Sequence, residues 1–190
     1  METSDEALCE RVAGRDEAAF DLLVERYQQR AFRLAWSILR DAEEARDVSQ
    51  EAFIRLYQTA GSFAGRARFS TWFYRILVNL CLDHRRKLRW WRQVFAREER
   101  TEGAETELTD QPAATTDPVD TLDTARTLAQ VWTAAARLSP QQRAALVLQV
   151  REDLSMREIA AVLGCSEPTA RVHLHRALST LRRTLGRERT

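Results

Sequence analysis

Apolar side chains recur along the first half of the chain at steps of three and four residues, the period of a helix with one buried face. Phe20, Leu23, Val24, Tyr27, Ala31, Leu34, Ala35 and Ile38 form one such stripe, with Asp16 placed to cap its start. Asp41 and Glu44 make a capping-box pattern that opens a second helix, in which Val48, Ala52, Phe53, Leu56 and Tyr57 keep the period until Gly61. A short loop holding Gly61, Gly65, Arg66 and Arg68 follows. Ser70 is then placed to cap a third helix, with Trp72, Phe73, Ile76, Leu77 and Leu80 turned inward. This apolar face leads directly into a basic run, Arg85, Arg86, Lys87 and Arg89. Trp72 shares its register with Ile76 and reads as core. Trp90 and Trp91 end the basic run, where packing against the domain is favoured over an exposed patch.

In the last third the pattern resumes. A helix is expected near 122–137, followed by Ser139, Pro140 and Gln142, in which the serine caps, proline suits the first turn and the glutamine completes a box. Leu146, Val147 and Val150 supply the apolar side of that helix. Ser155 and Glu158 repeat the box, Ile159, Ala160 and Leu163 form a short buried face, and Gly164 supplies a turn. Ser166 opens a last helix over 167–185, with Val172, Leu174, Leu178 and Leu181 left for the core. A short helix over 156–163, a glycine turn and a longer helix make a helix-turn-helix. Strand-like alternation of useful length is absent from the sequence, so the predicted fold class is all-α.

Charge then divides the chain. Nine acidic residues and a single base, Arg100, lie in 98–123 together with Pro112 and Pro118, and apolar periodicity disappears there. The prediction is two small helical domains, 1–97 and 124–190, joined by a flexible acidic linker over 98–123. The net charge of +1 conceals +3, −8 and +6 in those three parts, an asymmetry that points to a polyanionic partner. Of 29 basic residues only Lys87 is lysine. Arginine is the better fork for phosphates and guanine edges, although a GC-rich genome accounts for the bias equally well. Three scattered cysteines, Cys9, Cys81 and Cys165, argue against a disulfide framework and for a reducing compartment, hence a cytoplasmic location. A signal-peptide run and a membrane-spanning stretch are not expected.

The motifs then become specific. Leu138-Ser139-Pro140-Gln141-Gln142-Arg143, Leu154-Ser155-Met156-Arg157-Glu158-Ile159-Ala160 and Leu163-Gly164-Cys165-Ser166-Glu167-Pro168-Thr169, with Arg171, Arg176-Ala177-Leu178 and Leu181-Arg182, resemble the minus-thirty-five-reading domain of bacterial sigma factors. Upstream, Ala45-Arg46-Asp47-Val48-Ser49-Gln50-Glu51-Ala52-Phe53-Ile54-Arg55-Leu56-Tyr57 is similar to their polymerase-docking helix, and Phe69-Ser70-Thr71-Trp72-Phe73-Tyr74-Arg75-Ile76-Leu77-Val78-Asn79 to their minus-ten-reading helix. The resemblance covers roughly 16–92 and 124–186 and points to the extracytoplasmic-function (ECF) subfamily of the sigma-70 family. The sequence departs from the family at Ser49, where an apolar residue is usual, and at Glu167, Pro168 and Ala170, where glycine and valine are commoner.

The resemblance implies core RNA polymerase, promoter DNA and an anti-sigma protein as partners, no cofactor, no metal and no catalysis. It assigns polymerase docking to Asp47, Gln50, Glu51, Phe53 and Arg55. Minus-ten recognition falls to Phe63, Arg66, Arg68, Phe69, Arg75, Asn79, Arg85 and Arg86, and minus-thirty-five recognition to Ser166, Thr169, Arg171, His175 and Arg176. The residue types fit these tasks. Aromatic faces beside cations in the loop 61–69 suit unstacked bases, although Phe63 and Phe69 serve equally well as apolar anchors of the loop ends. Arginines on and beside the third helix neutralise phosphates, and Arg171 can hold a guanine edge with two bonds. Promoter elements about 17 base pairs apart lie ~58 Å from one another, within the ~86 Å that a 26-residue linker spans when extended. A linker of charge −8 is also expected to fold over the basic faces of the free protein and suppress unguided DNA binding. Two other readings are weaker. Cys81 and His84 could be half of a metal site, but no second pair sits at matching spacing. An ordinary dimeric repressor would use the N-terminal helices for dimerisation or sensing.

Overall fold

The computed structural model describes residues 3–98 and 137–187. Among them all regular secondary structure is helical and no strand occurs. Most of the linker predicted over 98–123, and the helix expected near 122–137 up to its last residue, lie outside the described residues.

Seven α-helices and a 3₁₀ turn are described. The first, α1 (Asp5–Ala13), was not anticipated from periodicity. Ser4 caps it by accepting from the Ala7 N–H, and it buries Leu8, Cys9 and Val12. Helix α2 (Glu17–Leu39) begins as expected, with the Asp16 carboxylate accepting from the Ala19 N–H, and every apolar position of its predicted stripe lies in or against the core. In α3 (Ala42–Thr59) Asp41 caps through the N–H groups of Glu43 and Glu44. The Glu44 side chain points instead to His84, 3.4 Å away. The 3₁₀ turn Ala60–Ser62 carries α3 to the Gly61 boundary.

Helix α4 (Phe69–Glu98) starts one residue before its predicted cap. Arg68 takes the N-cap position, its carbonyl accepting from the Trp72 N–H, while Ser70 is the second residue inside the helix. A first-turn donor without a partner inside the helix is satisfied from far along the chain: the Phe69 N–H donates to the Glu6 carboxylate of α1 at 3.0 Å. A missed helix thus provides the cap that sequence reasoning assigned to a neighbouring serine. Helices α1 to α4 enclose Leu23, Tyr27, Leu34 and Ile38 from α2, Val48, Ala52 and Leu56 from α3, and Phe69, Phe73, Tyr74 and Leu77 from α4.

The C-terminal part comprises α5 (Pro140–Val150), α6 (Met156–Leu163) and α7 (Glu167–Arg187). Both predicted capping boxes are complete and reciprocal, Ser139 with Gln142 and Ser155 with Glu158. The α5 face differs from expectation: Ala144, Ala145 and Leu148 are buried, Leu146 and Val147 only partly, and Val150 is 70% exposed. The inward face thus combines two small residues with Leu148, and α5 packs against α2 and α7. Likewise Ala170 and Ala177 are the fully buried positions described on α7, whereas Val172 stands 45% exposed. Gly164 closes α6 in the left-handed conformation at φ +64°, which glycine adopts without a Cβ penalty.

The two helical groups pack together, α5 on α2 and α6 on α4, and all their buried apolar residues except Leu138 and Ala177 form one continuous cluster. Polar contacts fasten this seam. The buried Arg143 guanidinium donates to the Ile38 carbonyl at 3.0 Å, where Arg85 also donates at 2.9 Å, so two cations meet the electronegative end of α2. The Tyr74 hydroxyl donates to the Glu152 carboxylate.

Candidate nucleic-acid interface

On α3 the core register of Val48, Ala52 and Leu56 leaves Asp47, Gln50, Glu51 and Arg55 on the solvent side. Glu51 and Arg55 form an exposed i,i+4 pair at 3.5 Å. Phe53, by contrast, is buried, its ring 5.0 Å from that of Phe73, so it orients the helix from beneath and offers no contact surface. Ile54 was missed by sequence reasoning. It is 57% exposed beside Gln50 and Glu51, an apolar anchor within a polar face that a strict core-register reading would have found. Ser49 is buried and donates to the Ala45 carbonyl, which satisfies the hydroxyl that departs from the family pattern.

The loop between Ser62 and Phe69 separates two kinds of aromatic. Phe69 is fully buried, its ring between those of Tyr27, Phe63, Trp72 and Phe73. Of its two expected roles, this burial favours the apolar anchor of the loop end. Phe63 is half-buried against Phe69 and Trp72, leaving part of its ring accessible, and Trp72 packs on the core as predicted. Arg66 and Arg68 are exposed at the loop. Arg68 lies 3.7 Å from Glu158, whose carboxyl is held below the usual range chiefly by the Ser155 hydroxyl and N–H, and in smaller part by Arg68. Along α4, Arg75, Asn79 and Arg86 are exposed, Arg86 pairing with Asp83 at 3.5 Å. Arg85 is half-buried and donates to the Ile38 carbonyl, so one N–H of its guanidinium braces the fold.

Trp90 and Trp91 are not packed away: they are 56% and 49% exposed, with ring centroids 4.9 Å apart. Cys81 sits in the core with its thiol pushed up to about 12 by burial, while His84 turns to Glu44, so the suggested pair of metal ligands does not converge.

At the other end, α6, Gly164 and α7 form the helix-turn-helix. Ser166 caps α7 by accepting from the Thr169 N–H, and its hydroxyl shares a hydrogen bond with that of Thr169 at 2.8 Å. Arg171 is exposed and pairs with Glu167, the acidic residue that departs from the family pattern, which holds the guanidinium along the first turns. Val172, His175 and Arg176 are exposed on the turns that follow. Val172 thus joins the outer face and not the core.

The two helical groups match known profiles. Residues 23–92 match Sigma-70 region 2, and residues 128–181 match Sigma-70, region 4. Over 189 residues the chain is 34% identical to the RNA polymerase sigma-H factor of Pseudomonas aeruginosa, covering 95% of this chain and 93% of that protein. It is 31% identical over 187 residues to the ECF RNA polymerase sigma factor SigW of Bacillus subtilis, covering 97% and 98%. The chain belongs to the ECF sigma factors of the sigma-70 family. Solved structures share the fold of this sigma factor. CnrH in complex with the cytosolic domain of CnrY superposes with a TM-score of 0.66 at 22% identity, covering 97% of this chain and 98% of that one. RpoE bound to the anti-sigma factor NepR from Bartonella quintana gives 0.65 at 22% identity, covering 88% and 96%. Sigma factors are non-catalytic initiation factors that bind core RNA polymerase and direct it to promoters. No described helix of this sigma factor is long and apolar enough to cross a membrane.

Proposed function

We propose that this sigma factor divides initiation among three surfaces on parts bounded as 1–97, 98–123 and 124–190. The outer face of α3, with Asp47, Gln50, Glu51, Ile54 and Arg55, docks on core polymerase. The loop 61–69 and the exposed face of α4, with Phe63, Arg66, Arg68, Arg75, Asn79 and Arg86, receive and stabilise the melted minus-ten element. Ser166, Thr169, Arg171, His175 and Arg176 at the start of α7 read the minus-thirty-five element in the major groove, with a capped helix N-terminus to meet phosphate. The observation that carries this reading is the separation of faces: each group is exposed while the intervening register is core.

The factor acts in the cytoplasm and has no catalytic activity of its own. An anti-sigma protein holds it inactive, a reading supported by a protein of the same fold, RpoE of Bartonella quintana, whose structure contains the anti-sigma factor NepR. The arrangement described above is that of the factor off DNA. Arg68 of the minus-ten loop lies 3.7 Å from Glu158 of the bracing helix α6, so the two reading ends are neighbours, whereas the promoter elements lie ~58 Å apart. The halves therefore part on the promoter.

Run-off transcription with purified core polymerase on genomic fragments tests the whole. Asn79→Ala and Arg171→Ala are expected to weaken initiation while leaving polymerase binding intact, and Asp47→Ala to do the reverse. Identical behaviour of the three refutes the division of roles.

A further inference from the structure

The core positions of α4 run through Phe73, Leu77, Val78 and Cys81. Trp90 follows Cys81 by nine residues, ~900° of helical rotation, and so stands on the opposite side of the helix from the core. That register accounts for its 56% exposure. It also aligns Trp90 with other groups. Taking Asn79 as the origin, Arg75, Arg86 and Trp90 fall within a sector ~60° wide, and all are exposed. Lys87 and Arg89 flank the end of this stripe, where Asp83 is the acidic neighbour and is occupied by Arg86. A large aromatic therefore continues a polar, cationic face and is not a leaked core residue.

We infer that Trp90, steadied edge-to-face by Trp91, is a second DNA contact of this factor, seated on the sugar–phosphate backbone of promoter duplex upstream of the melted minus-ten segment. The inference rests on the assignment of Asn79 and Arg75 to the minus-ten element. From Asn79 to Trp90 the helix rises ~16 Å, about five base-pair steps at 3.4 Å each. An indole has the chemistry for this place: its face covers deoxyribose carbons and its N–H donates to a phosphate oxygen. Such a contact positions the factor without reading sequence. The surrounding cations favour a polyanion, and the continuity of the stripe with Asn79 favours the same DNA over an acidic protein.

The apolar part of this contact releases no counterions, which separates it from its neighbours. Holoenzyme reconstituted from core polymerase and the full-length factor is titrated with two forked promoter DNAs over a range of salt. One fork carries about 20 base pairs of duplex upstream of the minus-ten element and the other about three. Trp90→Ala is expected to weaken binding to the long fork about tenfold, with an unchanged dependence of log affinity on log salt, and to leave the short fork unaffected. Arg86→Ala is expected to reduce the salt slope on the long fork by about one. Trp90→Phe, which keeps a ring without the N–H, is expected to lie between wild type and alanine.

Equal affinity of Trp90→Ala and wild type for the long fork overturns the inference, as does an equal loss on both forks. A loss confined to core polymerase binding, or to self-association of the free factor in sedimentation, also overturns it and makes the pair a protein-docking surface. Failure of the wild-type holoenzyme to bind either fork would instead strike at the proposed function.

Discussion

Replacing Glu6 by alanine removes a helix cap that bridges 63 residues of sequence. Its carboxylate accepts from the Phe69 N–H at 3.0 Å, and Phe69 is fully buried, so solvent has poor access to replace the lost acceptor. A hydrogen bond to a charged group contributes about 1.5–3 kcal/mol, of which relaxation of the first turn of α4 recovers a part. The negative charge beside a helix N-terminus adds about 0.3–1 kcal/mol. The expected net loss is about 2 kcal/mol, or roughly 30-fold in the folding equilibrium and about 4–8 °C in Tm for a chain of this length. Glu6→Gln keeps an acceptor oxygen without the charge and is expected to lose about half as much. Ser70→Ala is the decisive control. Ser70 lies inside α4 and does not cap it, so its replacement is expected to shift stability by less than about 0.5 kcal/mol. Urea unfolding followed by far-UV circular dichroism measures all three through the midpoint at constant m. A Ser70→Ala loss equal to that of Glu6→Ala, or a wild-type midpoint for Glu6→Ala, refutes the tertiary cap.

Gly164→Ala places a Cβ in open space but at φ +64°, so strain alone is expected to cost about 1 kcal/mol, read as a lower urea midpoint with minus-thirty-five binding recovered at lower temperature. Arg143→Met keeps the buried stem and removes the guanidinium from the Ile38 carbonyl, which is expected to raise the population with separated halves about tenfold; energy transfer between dyes at the exposed positions Gln58 and Ser179 reports it, and an unchanged distance distribution refutes it. Burial raises the thiol of Cys9 to about 11 and that of Cys81 to about 12, and raises the phenols of Tyr27 and Tyr74. In the unfolded chain the thiols ionise near 9, so their contribution is fully present below that pH and is lost as pH rises towards 11 and 12. The urea midpoint is expected to fall as pH rises from about 9 to about 11, and Cys81→Ala to flatten that fall.

Local information was legible wherever a residue's partner stands three or four positions away. Asp16, Ser139 and Ser155 cap as their spacing demands, and the predicted stripe of α2 lies in or against the core. The exposed candidate residues on α3, α4 and α7 were legible for the same reason, since helical period separates outer from inner positions. Val172 misled because an apolar residue on an amphipathic helix was assigned to the core when the neighbouring alanines, Ala170 and Ala177, already filled it. Trp90 misled through its size, although its register with Cys81 pointed outward.

Sequence by itself determined the helical class, the position of the turn before α7, the three-part division of charge and the family. These follow from interactions between near neighbours and from motifs that survive without knowledge of packing. Tertiary structure alone decided that Glu6 caps α4, that Phe69 is buried among aromatic rings and Arg85 braces the end of α2, and that Arg143 and Tyr74 fasten the two helical groups. Each of those contacts joins residues 47 to 105 positions apart or depends on what surrounds a ring, and such pairings are set by how helices stack, which no local period encodes.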